Sequence, residues 1–176
     1  IGYNFRISEL HAAVGLAQIK KLDTFLAIQK KNHTALKNAL AQIPEVSFRR
    51  IPDESGDSCT FLSWFLPTEE ATKAVVAELK ARNILAGNFY WFVNNWHYIS
   101  KWDHLKNAVT LNSLHPDLKA AVIHHATKDF GASDAIMSRC ISTAIGLTWT
   151  DEQLKTKCDQ MVAVIQKVLS ELKVAL

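Results

Sequence analysis

Gly2-Tyr3-Asn4-Phe5-Arg6-Ile7-Ser8-Glu9-Leu10, followed by the small-residue run Ala12-Ala13-Val14-Gly15-Leu16-Ala17-Gln18 and by Lys20-Lys21-Leu22-Asp23, is the stretch on which the reading of this chain turns. Ser8 is placed to cap a helix, and Glu9 favours the positive end of its dipole. From Ala12 to Ala17 the helix is small and apolar on all sides, which predicts close packing against other backbone on more than one face. This segment is therefore expected to be buried, with a partner subunit as a candidate for the surface that covers it. Beyond Asp23 the pattern becomes one-sided. Phe25, Ile28, Asn32, Leu36, Ala39, Leu40 and Ile43 line one stripe, with Gln29, Lys30, His33, Lys37 and Asn38 opposite, so a long connecting helix is expected to end near Pro44.

Further along, Val46 to Ile51 reads as a strand, and the polar turn Pro52 to Ser58 leads into a second, Cys59 to Leu66, rich in Phe, Trp and Thr. The polar loop between them predicts an antiparallel pair. Thr68 should cap a helix running to about Arg82, with Val75, Val76 and Leu79 facing inward. Periodicity is then lost from Gly87 to about Asp134, an aromatic, histidine-containing insertion with at most short helices such as Pro116 to His125. Ser138 to Ile145 recovers strand character, with Arg139, Ile141, Thr143 and Ile145 on one side. Thr150-Asp151-Glu152-Gln153 is a capping box that opens a last helix, whose Leu154, Cys158, Met161, Ile165, Val168 and Leu172 recur at four and three. That helix is expected to lie across a small sheet.

The bulk properties bound the function. A length of 176 residues allows one domain with a real core, and 48% hydrophobic with 21% charged residues is ordinary for a globular protein. With a net charge of only +3, the pairs Lys20-Lys21, Lys30-Lys31 and Arg49-Arg50 are isolated from one another and read as solvated surface. Nucleic-acid binding is not expected from them. Cys59, Cys140 and Cys158 are odd in number and sit in apolar stretches, which suits reduced thiols acting as small core residues in the cytoplasm. No apolar run reaches the roughly 18 residues of a membrane span. His124 and His125 are adjacent, so a helix would point them to different faces and they cannot chelate one metal together.

The opening motif and the small-residue helix after it resemble the signature that follows the cofactor lysine in the DegT/StrS family of sugar aminotransferases, fold-type-I enzymes that use pyridoxal phosphate (PLP). The resemblance implies an α/β fold of the α+β type: a long connecting helix and a small, mainly antiparallel sheet covered by helices, as in the C-terminal domain of those enzymes. On this reading residues 1–43 are the hinge motif and connecting helix, and residues 44–176 are a small domain carrying the insertion at about 87–134. The absence of an initiator Met adds the expectation that the cofactor domain lies upstream and is missing from this chain.

Carried over residue by residue, the resemblance makes Asn4 a donor to the cofactor phosphate bound mainly by the other subunit. An amide N–H beside a glycine can approach a dianionic phosphate closely. The aromatic loop Asn88 to Tyr98 takes the position of the family's sugar-contacting loop, although the usual prolines are absent. Tyr90, Trp91, Trp96 and His97 are its substrate-binding candidates, with a hydrophobic plug over the sheet as the alternative. Arg139 is a candidate for an acidic group of the sugar or the amino donor. Arg6 and Tyr3 read as structural, and His11 stands where relatives commonly carry Gln.

No lysine here has the context of the Schiff-base residue, so no catalytic residue is assigned and the chain alone should be inactive. The activity implied is amino transfer from glutamate or glutamine to a keto or aldehydo sugar by a cytoplasmic homodimer. The dense aromatic loop without the usual prolines points to a branch acting on an unusual sugar, one candidate being the terminal carbon of an octulosonate (Kdo-type) acid for lipopolysaccharide. The rivals are a PLP-dependent deoxysugar dehydratase of the same fold, distinguished by an upstream Lys or His, and a non-catalytic dimerisation or binding module.

Overall fold

In the computed structural model, residues 6–84, 86–93 and 98–172 are described. Helix α1 (Glu9–Ile19) is broken from α2 (Leu22–Leu40) at Lys20-Lys21. There follow β1 (Ser47–Phe48), β2 (Phe61–Phe65), α3 (Glu69–Ala81) and β3 (Asn88–Phe89). The 3₁₀ turns Trp91–Val93 and Ile99–Lys101 lead to α4 (Asp103–Lys106), α5 (Pro116–Ala126) and α6 (Gly131–Met137), and β4 (Cys140–Ala144) and α7 (Asp151–Leu172) complete the order. The expected fold class holds: a small antiparallel sheet, ordered β1-β2-β4-β3, with helices packed on it.

The core lies between one face of the sheet and the layer made by α2, α3 and α7. Strand alternation sends Leu62 and Trp64 of β2 and Ile141 and Thr143 of β4 to that face, and all four are buried. Against them pack Leu36 and Leu40 of α2, Val75 and Leu79 of α3, and Met161, Val164, Ile165 and Val168 of α7. The second half of α2 thus belongs to this core, and packing runs without a break across residue 43. One buried polar chain crosses the sheet. The Trp64 indole N–H donates to Thr143 Oγ1 (3.0 Å), the Thr143 hydroxyl donates to Asn88 Oδ1 (2.6 Å), and the Asn88 amide donates to the Ile84 carbonyl (3.2 Å). Every link is satisfied, which is what burial of these groups demands.

The helix ends follow their local chemistry. Ser8 and Thr68 accept from the backbone N–H groups of His11 and Ala71. Thr150 and Gln153 exchange the two bonds of the capping box, at 3.0 and 3.2 Å. Gln153 thereby fixes the entry of α7 over the sheet.

Residues 6 through 24 are all exposed, and none of the described residues covers Leu10, Val14, Leu16 or Ile19, so the burial expected of the first helix is left to a partner subunit. Small residues permit close packing but do not supply a surface to pack on. Two expectations need correction. His33, expected on the polar side of α2, is 6% exposed, because the β1–β2 loop folds over that side. Finally, the insertion is not wholly outside the sheet. Gly87, at φ 81°, turns the chain so that its carbonyl accepts from Ala144 N (2.7 Å) and Asn88 and Phe89 pair with β4 as a fourth strand.

Candidate functional site

The sheet face opposite the helical layer carries the residues of alternate parity: Phe61 and Ser63 from β2, Phe89 from β3, and Cys140 and Ser142 from β4. Part of this face is closed and part is open. Tyr90, immediately after β3, is buried, and its hydroxyl donates to the Ser138 carbonyl (2.8 Å), tying the insertion to the turn before β4. Burial pushes its phenol up to about 12, with the charge of Glu69 adding to the effect. Tyr98 is also buried. Its phenol bonds Asp134 in α6, and burial first, then that bond, holds it above the ordinary tyrosine range. Phe92 lies between the two tyrosines, with ring centroids 6.1 and 5.9 Å away, and the Lys101 ammonium stands 4.4 Å from its centroid.

Trp91 turns the other way. Its indole stacks on Phe89 at 4.9 Å and 11°, and Phe89 meets Phe61 edge-on at 6.2 Å. Phe61 and Phe89 remain 44% and 38% exposed, so this row of three rings borders solvent. Beside it the hydroxyls of Ser63 and Ser142 bond each other at 2.9 Å. Flat apolar faces next to hydroxyls can hold the C–H face of a sugar while bonding its hydroxyl groups.

Of the site residues expected from sequence, Tyr90 and Trp91 are neighbours that face opposite directions, one locked into the wall and one on the open row. Arg139 precedes β4 rather than lying within it. Its Nε donates to the Ala135 carbonyl (2.9 Å) and its Nη1 to the Leu66 carbonyl (3.4 Å), so the guanidinium closes the end of α6 onto the sheet. Asn4, Trp96 and His97 lie outside the described residues. Sequence reasoning missed Phe61, and it included Phe89 in the aromatic loop without singling it out. Gly87 before an Asn-Phe pair was the available signal for a strand start that would have put Phe89 beside Phe61.

The cofactor implied by the sequence needs a lysine amine beside a phosphate cradle, a need that can be set against the described residues. Lys157 is the strongest case for a cofactor lysine: its amine is held down by burial, lies 5.3 Å from the Trp149 ring centroid and borders a cleft of about 370 Å³. The amine is engaged by the Ala86 carbonyl at 3.3 Å, however, and the first turn of the helix beside it carries Asp151 and Glu152. Those carboxylates would repel a phosphate at that helix terminus. PLP therefore does not fit this cleft, and Lys157 is not its Schiff-base residue.

A second cluster lies between α2 and the β1–β2 loop. His33, Asp57 and Cys59 bring their donor atoms within 4.8 Å of one another. Burial holds the His33 imidazole below its ordinary range and the Cys59 thiol above it. No sequence spacing announces this group, because its members come from a helix and a loop 24 residues apart.

Comparison with known proteins adds the following. The model of the "DegT/DnrJ/EryC1/StrS aminotransferase family" matches residues 1–162. The chain is 32% identical over 100 residues to a GDP-4-keto-6-deoxy-D-mannose 3-dehydratase of Yersinia pseudotuberculosis, covering 50% of this chain and 24% of that protein. It is 35% identical over 65 residues to the lipopolysaccharide biosynthesis protein RfbH of Salmonella typhimurium (strain LT2), covering 37% of this chain and 14% of that protein. The chain thus spans less than a quarter of the length of these relatives.

Proposed function

The chain belongs to the DegT/DnrJ/EryC1/StrS aminotransferase family, a family of PLP-dependent sugar-modifying enzymes, and from that premise we propose that it forms the substrate-side portion of a sugar dehydratase. The observation that carries the choice of reaction is the similarity over 100 residues to a protein named as a keto-deoxysugar 3-dehydratase. The second relative's name places it in lipopolysaccharide biosynthesis, which fits a sugar destined for a polysaccharide. PLP supplies an electron sink for bond cleavage next to the carbon it holds. This chain's part is to bind and orient. The row Phe61, Phe89 and Trp91 offers the stacking surface, Ser63 and Ser142 the nearby hydroxyls, Tyr90 and Tyr98 fix the loop that carries Trp91, and Arg139 holds α6 onto the sheet.

Asn4, Trp96 and His97 keep their proposed roles, the first on the cofactor phosphate and the other two at the sugar. Upstream residues would provide the cofactor's covalent or basic partner, and a homodimer would share the site between subunits. Amino transfer is the second reading, favoured by the opening motif and by the name of the family. Octulosonate as acceptor has no support from either relative's name.

The test is the mass of the sugar product formed by the full-length enzyme from a nucleotide-linked 4-keto-6-deoxysugar with ¹⁵N-labelled glutamate. A dehydratase gives a product that has lost a hydroxyl and retains no label. Label retained on the sugar would overturn the dehydratase reading in favour of the transaminase.

A further inference from the structure

We propose that His33, Asp57 and Cys59 form a binding site for a divalent transition-metal ion, with Zn²⁺ the best match to their donor atoms. One imidazole nitrogen, one carboxylate oxygen and one thiolate sulfur are three ligand types that zinc accepts together, and their combined charge of −2 balances the ion.

The geometry is already close to that of a site. The three donor atoms lie within 4.8 Å of one another. A tetrahedral zinc with bonds of about 2.0–2.3 Å would need them roughly 3.3–3.8 Å apart. Side-chain rotation alone spans that difference. The ligands are also available. His33 and Cys59 are both more than nine-tenths buried, and the His33 ring has no hydrogen-bond partner among the described residues. Asp57 uses Oδ1 to accept from the Cys59 backbone N–H at 3.0 Å, while its Oδ2 is buried without any partner. A buried carboxylate oxygen left unsatisfied is costly, and a cation there removes the cost.

The surroundings admit an ion. The cluster opens on a cleft of about 210 Å³, which gives an entry path and room for a water as fourth ligand. Lys30, Lys37 and Glu54 also line that cleft. The Lys37 ammonium is drawn aside, 3.7 Å from a Glu54 carboxylate oxygen and 5.9 Å from the Phe48 ring centroid. When the metal binds, the Cys59 S–H bond breaks, the sulfur donates its pair to zinc and the proton leaves to solvent. The ion would pin the β1–β2 loop to α2. The inference does not depend on which sugar reaction the protein performs.

The experiment is titration of the metal-free full-length protein with Co²⁺, followed by Zn²⁺ competition, read by absorption. The expected result is one equivalent per chain, with the visible bands of tetrahedral cobalt and a near-ultraviolet thiolate charge-transfer band, both abolished by Zn²⁺. Cys59→Ser should remove the charge-transfer band. His33→Gln and Asp57→Asn should each lower affinity by more than the roughly 10–100-fold that even a supporting contact is worth. Cys140→Ser and Cys158→Ser should change neither. Circular dichroism of each metal-free variant checks folding, and Asp57→Asn, in the loop, carries the test if a variant at a more buried position fails to fold. Absence of both bands, or bands that survive Cys59→Ser and Asp57→Asn, would overturn the site.

Discussion

Helix α1 is more apolar than α7, yet α1 buries no residue while α7 buries seven. Leu10, Val14, Leu16 and Ile19 of α1 stand between 55% and 75% exposed. In α7 the apolar residues are a smaller share of the helix but gathered on one side, with Lys155, Asp159 and Glu171 on the other, and that apolar side seats against α2, α3 and the sheet. Burial within the chain therefore follows patterning, not hydrophobic content. A helix that is apolar all round, with none of the described residues against it, is shaped for a surface that those residues do not supply. We read α1 as that contact, with a second copy of the chain as its partner.

The largest effect that would sharpen this contrast is in α7. Ile165 is completely buried, so Ile165→Ala should cost about 2–5 kcal/mol, the lost transfer energy plus the cavity. Urea unfolding measures it, and a loss under about 1 kcal/mol would mean that the face of α7 is not the core. A smaller effect concerns the insertion, which is half wall and half open row. With the Tyr90 phenol raised to about 12, the unfolded state gives up that proton first as pH rises past about 10, so the stabilisation is complete below that pH and is lost between about 10 and 12. The size is on the order of 2 kcal/mol. Stability measured from pH 9 to 12 should fall more steeply in the native protein than in Tyr90→Phe, and parallel curves would place Tyr90 outside the wall.

The parts of the fold that were legible in the sequence are those where local chemistry and long-range packing agree. The box Thr150 to Gln153 and the four-three spacing after it announced α7 with its buried side, and Thr68 announced α3. The strands β2 and β4 are long enough to show their residue types. Elsewhere the determinant was not local. β3 has two residues, too few for any period, and exists because β4 offers an edge. His33 reads as a polar-side residue of α2 until the β1–β2 loop covers it. The loop reaches it through Cys59, held at φ 56°, a backbone conformation that residue types do not advertise. For the candidate site, the sequence singled out the aromatic stretch but could not say that Tyr90 and Trp91 face opposite ways, nor that Arg139 would give its donors to the Ala135 and Leu66 carbonyls.

The contrast between the two helices comes down to whether α1 meets another protein surface. The direct measurement is hydrogen exchange of the α1 amides in the native protein and in Leu16→Glu, with the mass of each assembly determined by sedimentation. We predict that α1 is protected in the native assembly, and that Leu16→Glu lowers the assembly mass and exposes α1 while α7 stays protected. Because Leu16 is 60% exposed within its own chain, the unfolding free energy of the released chain should stay within about 0.5 kcal/mol of the native chain's at equal dilution. Rapid exchange of α1 in the native protein, or an assembly mass unchanged by Leu16→Glu, would contradict the account.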